Sequence, residues 1–183
     1  MRSEKRAFSA IAAVCMACAT VTAGAEEAVD EYPFGLSLLP VRYLGAPGPD
    51  SGVWLFRLNL LAGCNRTMSG VDFGTVGNWT TEDAGGIALA AGYNVCGWDS
   101  AGLQLACVNF TEREHDGVQV GLGNMTWGIG GLQLGVVNAT GEGSGLQIGV
   151  VNLAESFFGF QLGLWNMNLA SGVPMMPILN ARF

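Results

Sequence analysis

The densest group of side chains able to hold a proton or a cation is the segment Thr111-Glu-Arg-Glu-His-Asp116, which carries the chain's single histidine, His115. Glu112, Glu114, His115 and Asp116 would bind a divalent ion only by converging on one point. Acyl transfer would also need a presented nucleophile, and no G-x-S-x-G turn supplies one. No H-E-x-x-H, phosphate-loop or dinucleotide fingerprint occurs either. The segment therefore reads as a solvated charged loop. The chain is expected to be non-enzymatic, with no catalytic residue, cofactor or metal.

Cys64, Cys96 and Cys107 lie beyond the N-terminal segment, so at most one disulfide can form and one thiol is left over. Cys107 falls in an apolar slot beside Leu103 and Leu105 and reads as a small core residue. Asn-x-Thr occurs at Asn65, Asn78, Asn109, Asn124 and Asn138. Such triplets can accept glycans on exposed loops, but the simpler cause is turn geometry at Asn followed by a β-favouring Thr.

The elements that must position these residues come from a repeat. The octad Gly131-Leu-Gln-Leu-Gly-Val-Val-Asn138 recurs as Gly102-Leu-Gln-Leu-Ala-Cys-Val-Asn109, Gly117-Val-Gln-Val-Gly-Leu-Gly-Asn124, Gly145-Leu-Gln-Ile-Gly-Val-Val-Asn152 and Gly159-Phe-Gln-Leu-Gly-Leu-Trp-Asn166, with starts 15, 14, 14 and 14 residues apart. Gln104, Gln119, Gln133, Gln147 and Gln161 thus form one series, and Asn109, Asn124, Asn138, Asn152 and Asn166 a second. Diverged copies begin near Phe56, Gly70 and Gly86, Phe34-Gly-Leu-Ser-Leu-Leu39 resembles a first strand, and residues 173–180 keep the register with Met175 in the Gln slot. Apolar residues alternate with Gly or Gln, the period-2 pattern of a strand. The 28 glycines, placed inside every element, disfavour helix at roughly 1 kcal/mol each. The closing Asn, with about six residues after it, reads as the turn.

Residues 1–25 join a basic start (Arg2, Lys5, Arg6) to an apolar stretch and a small-residue Ala23-Gly-Ala25 end, which reads as a secretory signal with the mature chain beginning near Glu26. Residues 26–183 then form a single β-repeat domain. They hold five arginines, no lysine and fourteen acids, a net of −9. No basic patch exists to neutralise phosphates, so nucleic acid is excluded as a partner.

About ten short strands, each with one apolar and one Gly/Gln face, can be completed in two ways. An antiparallel meander closed as a β-barrel would turn Leu, Val, Ile and Phe to lipid and Gln and Gly inward, with aromatics near strand ends forming interfacial girdles. A narrow β-solenoid would instead stack Gln and Asn into ladders with Leu and Val inside. Fourteen residues leave little room for two strands and two turns, whereas the uniform spacers and Pro174 and Pro177 speak against the barrel. The barrel is the leading expectation and the solenoid the alternative. Arg57 and Asp72 fill the Gln slot of successive early copies, a spacing that would make an interior ion pair if those strands are neighbours.

The octads ending at Asn152 and Asn166 resemble the repeat of the bacterial surface-repeat proteins, first noted in spirochaetes, which reads approximately GLQIGLVN. Tyr32-Pro-Phe-Gly-Leu-Ser-Leu-Leu-Pro40, Arg57-Leu-Asn-Leu-Leu-Ala-Gly63, Val71-Asp72 and Pro174-Met-Met-Pro-Ile-Leu-Asn180 resemble that family's opening and closing segments. The resemblance implies export and an outer-membrane or cell-surface setting, and it carries over no catalytic residue. The expected role is structural, pore-like or surface-interacting, with the outer-membrane bilayer as partner and any surface ligand unassigned. The alternative is a soluble secreted solenoid acting as a binding or adhesion module.

Overall fold

The computed structural model describes residues 30–39, 42, 43 and 50–183. The expected signal segment lies outside them. The described chain is all β: β1 Glu31–Leu39, β2 Arg42–Tyr43, β3 Gly52–Asn59, β4 Ala62–Asn65, β5 Thr67–Gly74, β6 Gly77–Thr80, β7 Ala84–Ala90, β8 Tyr93–Cys96, β9 Ser100–Leu105, β10 Val108–Val120, β11 Gly123–Leu134, β12 Val137–Ile148, β13 Val151–Asn168 and β14 Met175–Arg182.

These strands coil into a solenoid, and the expected barrel is not formed. Each coil has a short limb and a long limb. The long limbs pair in parallel through β1, β3, β5, β7 and β9 and on into the second halves of β10 to β13. The short limbs β4, β6 and β8 pair in parallel and continue into the first part of β10. Pairing is position for position: Gly131 faces Gly145, Gln133 faces Gln147 and Asn138 faces Asn152.

A barrel of hairpins would need neighbouring strands to run in opposite directions. An identical octad returning after 14 residues in the same direction gives parallel, in-register pairs instead. Two strands fit because the corners are tight. After Leu134 the chain turns at Gly135 and Val136, and the next short limb starts at Val137. The backbone amides of both Val136 and Val137 donate to the Leu122 carbonyl, at 3.0 and 2.9 Å, so the corners stack as well.

The octad is therefore split between two strands, and its closing Asn is not the turn. Asn138 lies inside β12, and the residues expected to loop after it form a short limb and the opposite corner. The Gly86 copy keeps full register, with Gly86 opposite Gly102 and Ala88 opposite Gln104.

Residues 173–180 do not form a further coil. β14 runs antiparallel to β13 and covers the C-terminal end of the stack, with Asn180, not Met175, opposite Gln161. Pro177 lacks a backbone donor, which an edge strand tolerates and a central strand does not.

The leading octad glycine is required by the bend of the long limb. Gly145 has φ of 126°, a left-handed conformation costly for any residue with a Cβ, and a Cβ there would collide with the Gly131 carbonyl oxygen. The same stacking recurs from Gly86 to Gly159. Gly145→Ala is expected to destabilise the fold by about 3 kcal/mol or more. Gly172→Ala, at a site with open space around it, should stay within about 0.5 kcal/mol of the native chain. Urea denaturation of the two variants measures the contrast.

Candidate functional site

The predicted Gln and Asn series are brought together inside the coil. Gln104, Gln119, Gln133, Gln147 and Gln161 are all buried, as are Asn109, Asn124, Asn138, Asn152 and Asn166. The Gln133 amide donates to Gln119 Oε1 at 2.9 Å, Gln147 to Gln133 at 2.7 Å and Gln161 to Gln147 at 2.7 Å. On the facing limb Asn109 donates to Asn124, Asn124 to Asn138 and Asn138 to Asn152, each at 2.8 Å. The second amide hydrogen of Asn138 goes to the Ile148 carbonyl at 2.9 Å, tying the short limb to the end of the next long limb. An unpaired buried amide costs about 1–3 kcal/mol, and the repeat avoids that cost by supplying the same partner in every coil.

The Thr of the triplets at Asn78, Asn109, Asn124 and Asn138 also points inward, whereas Asn65 itself takes the Thr slot opposite Thr80 and Thr67 opens the long limb β5. Thr126 and Thr140 donate to the carbonyls of Gly128 and Glu142 at 2.8 Å, closing the corner that follows. The triplets thus serve neither as glycan acceptors nor as turns. In the four copies from Asn78 to Asn138 they line the interior of the short limb.

Arg57 and Asp72 sit on adjacent long limbs, both buried. The guanidinium grips the carboxylate with Nε on Oδ1 at 2.8 Å and Nη2 on Oδ2. Asn65 accepts from Nη1 at 2.6 Å, and Asn59 donates to Asp72 Oδ1 at 3.0 Å.

His115 is not in a solvated loop. It points into the interior between Ser100 of the preceding coil and Ile129 of the next, with Nδ1 2.7 Å from Ser100 Oγ. Glu112, Glu114 and Asp116 point outward because side chains alternate along a strand, so the four residues never converge. Among the described residues no group of three or more potential ligands is placed to hold a metal. Burial lowers the His115 pKa to about 4, against the opposing pull of the Asp116 carboxylate.

The thiols separate in the same way. Cys96 takes the inward Thr slot and donates to the Glu82 carbonyl at 2.9 Å, and its burial pushes the pKa up to about 12, leaving it inert. Cys107 is exposed and not part of a core, because its slot is the corner that Leu122 and Val136 occupy in later coils. None of the three forms a disulfide.

Polar residues fill the inside, and the apolar ones form the surface. Leu134, Phe160 and Leu162 on the long limbs, Val108 and Val137 on the short limbs, and Leu122, Val136, Val150 and Leu164 at the corner are all exposed, Leu164 by 71%. The polarity is the one expected of the barrel, realised in a solenoid. The expected filling of a solenoid by Leu and Val does not occur. Each coil seats a Gln, an Asn, a Thr-slot residue and one side chain of the column that holds His115 and Ile129, and most branched residues occupy the alternate, outward positions. Among the described residues buried apolar side chains are few: a small cluster of Ile129, Ala154 and Phe157, with Val53 and Met68 stacked inside the N-terminal coils. Among the described residues the tryptophans form no girdle: Trp98 and Trp127 lie at one corner, Trp54 on the long-limb face, and Trp79 and Trp165 on the short-limb face. Among the described residues no helix is long and apolar enough to cross a membrane.

The apolar sleeve and polar core are the features on which recognition would rest. No family model, curated protein or solved structure matches this chain.

Two outcomes follow from the interior. Arg57→Met strands the Asp72 charge and is expected to cost about 3–5 kcal/mol, with Arg57→Met/Asp72→Leu recovering a large part of the loss in the same urea titration. His115 binds protons more readily unfolded than folded, so its contribution to stability is intact above pH 6.5 and declines as the pH falls toward 4. At pH 5 the decline is about 2 kcal/mol. The difference between native and His115→Leu stability profiles across that window measures it.

Proposed function

We propose that this chain is an exported, non-enzymatic outer-membrane or cell-surface β-repeat protein whose apolar sleeve is seated in lipid. The observation that carries the reading is the inversion of polarity. Leu, Val, Ile and Phe cover both limb faces and one corner, while Gln, Asn and Thr fill the interior. Monomers in water rarely expose contiguous apolar patches beyond a few hundred Å², and here such residues run the length of the stack. Every coil bonds its backbone to the next, so the sleeve presents few unpaired peptide groups to an apolar medium, the condition that a bilayer imposes. The resemblance of the octads to bacterial surface repeats points to the same setting.

Within that setting the role is structural or surface-interacting. A pore-like role has no support, because the amide columns close the interior. A soluble binding module is the second reading, favoured by a shallow groove beside Trp54, Asp83, Asp99 and Asp116 on the long-limb face.

Fractionation of expressing cells tests the choice. The protein is expected in the membrane fraction, resisting alkaline carbonate and released by detergent. Recovery as a monodisperse species without detergent would remove the lipid reading and leave the soluble module.

A further inference from the structure

Charge is segregated across the coil and not along it. From Gly52 to Asn168 every charged side chain outside the buried Arg57–Asp72 pair lies at the corner that follows the short limb, save Asp116 on the outward position next to it. Glu82, Asp99, Glu112, Glu114, Glu142 and Glu155 mark this corner in successive coils, except where Trp127 and Gly128 occupy it. Arg66 and Arg113 share it and pair with Glu82 and Asp99. The opposite corner, traced by Leu61, Val76, Leu122, Val136, Val150 and Leu164, has no charge and is exposed throughout. On the long-limb face the polarity changes stepwise. The outward column next to the charged corner holds Ala101, Asp116, Gly130 and Ser144 and turns apolar only at Phe158 in the last coil, and the columns beyond it are Leu, Val, Ile and Phe.

We infer that the solenoid lies flat in one leaflet of a bilayer, its axis parallel to the membrane plane, with the apolar corner among the acyl chains and the charged corner in water. This orientation rests on the lipid seating proposed above. A stack standing upright would drag a column of carboxylates through the hydrocarbon at every depth, where ionised side chains are costly. Laid flat, the same residues reach the headgroups together.

The dimensions agree. The long limb from His115 to Gly121 spans about 20 Å at the rise of an extended strand, against a leaflet hydrocarbon depth of about 15 Å, half the bilayer core. A second copy of the chain could cover one flat face, whereas the apolar surface here turns a corner and continues on the other face. Acyl chains follow that shape. With acids prevailing at the wet corner, attachment owes nothing to anionic headgroups, and vesicles of zwitterionic phosphatidylcholine suffice.

In a full-chain background with Cys15→Ser and Cys18→Ser, used for both samples, the Cys64→Ser protein carries an environment-sensitive fluorophore on Cys107, a native residue of the apolar corner. A second sample, with Cys64→Ser and Cys107→Ser, carries it at Glu142→Cys on the charged corner. Both are bound to phosphatidylcholine vesicles brominated along the acyl chains. The expected result is quenching several-fold stronger at position 107 than at 142, unchanged by salt. Equal quenching at the two positions would overturn the flat orientation while leaving the lipid seating in place. Flotation with vesicles but no quenching at either position would also overturn it, placing attachment on another surface. Failure to float, with a dimer by light scattering, would overturn the orientation and the lipid seating together and make the second copy the occupant.

Discussion

The structure depends on an amide meeting its own copy one coil later. A Gln or Asn sealed inside a narrow coil must satisfy a carboxamide oxygen and two amide hydrogens away from water. No neighbour in the same coil has matching geometry at every level, but the equivalent residue in the next coil always does. In-register stacking follows from this, since a slip of one residue would face Gln with Leu and turn the apolar set inward. The strict recurrence of Gln and Asn, the leading Gly that lets the backbone close on its neighbour, and the tight corners are consequences of one requirement: the coils must superpose.

The N-terminal coils show how far the requirement bends. Arg57 and Asp72 replace two glutamines of the ladder and satisfy each other, with Asn59 and Asn65 completing the pattern. A buried ion pair is costly to desolvate, and it endures here because every donor and acceptor has a partner. Ala88 then leaves the Gln slot unfilled before the regular amide column begins at Gln104. His115 is another accommodated substitution, held neutral among Ser100, Thr111 and Ile129.

Much of this is legible in the sequence. Period-2 alternation identifies strands, the 14-residue period identifies the repeat, and the shared slot of Arg57 and Asp72 places them together. What misleads is the assumption that one octad is one strand. The Asn after Val137 has turn chemistry, and nothing in a single copy reveals that Gly135 and Val136 make the corner and that Asn138 starts the return limb. Composition also gives no warning that a solenoid can be polar inside, because Leu and Val fill either a core or a sleeve with the same alternation. The charged corner reads only as a loop, since its residues are scattered along the chain and gather only when the coils are superposed.

The two amide columns differ in direction. Along the long limbs each Gln donates back toward the preceding coil, while along the short limbs each Asn donates forward to the next. Each column is a row of aligned dipoles, and the rows oppose one another. In the coils that carry both, their moments oppose along the axis, so adding such coils builds up little end-to-end potential from these side chains. A filament of such coils can grow in length without becoming an electrical rod, which neither column could do alone.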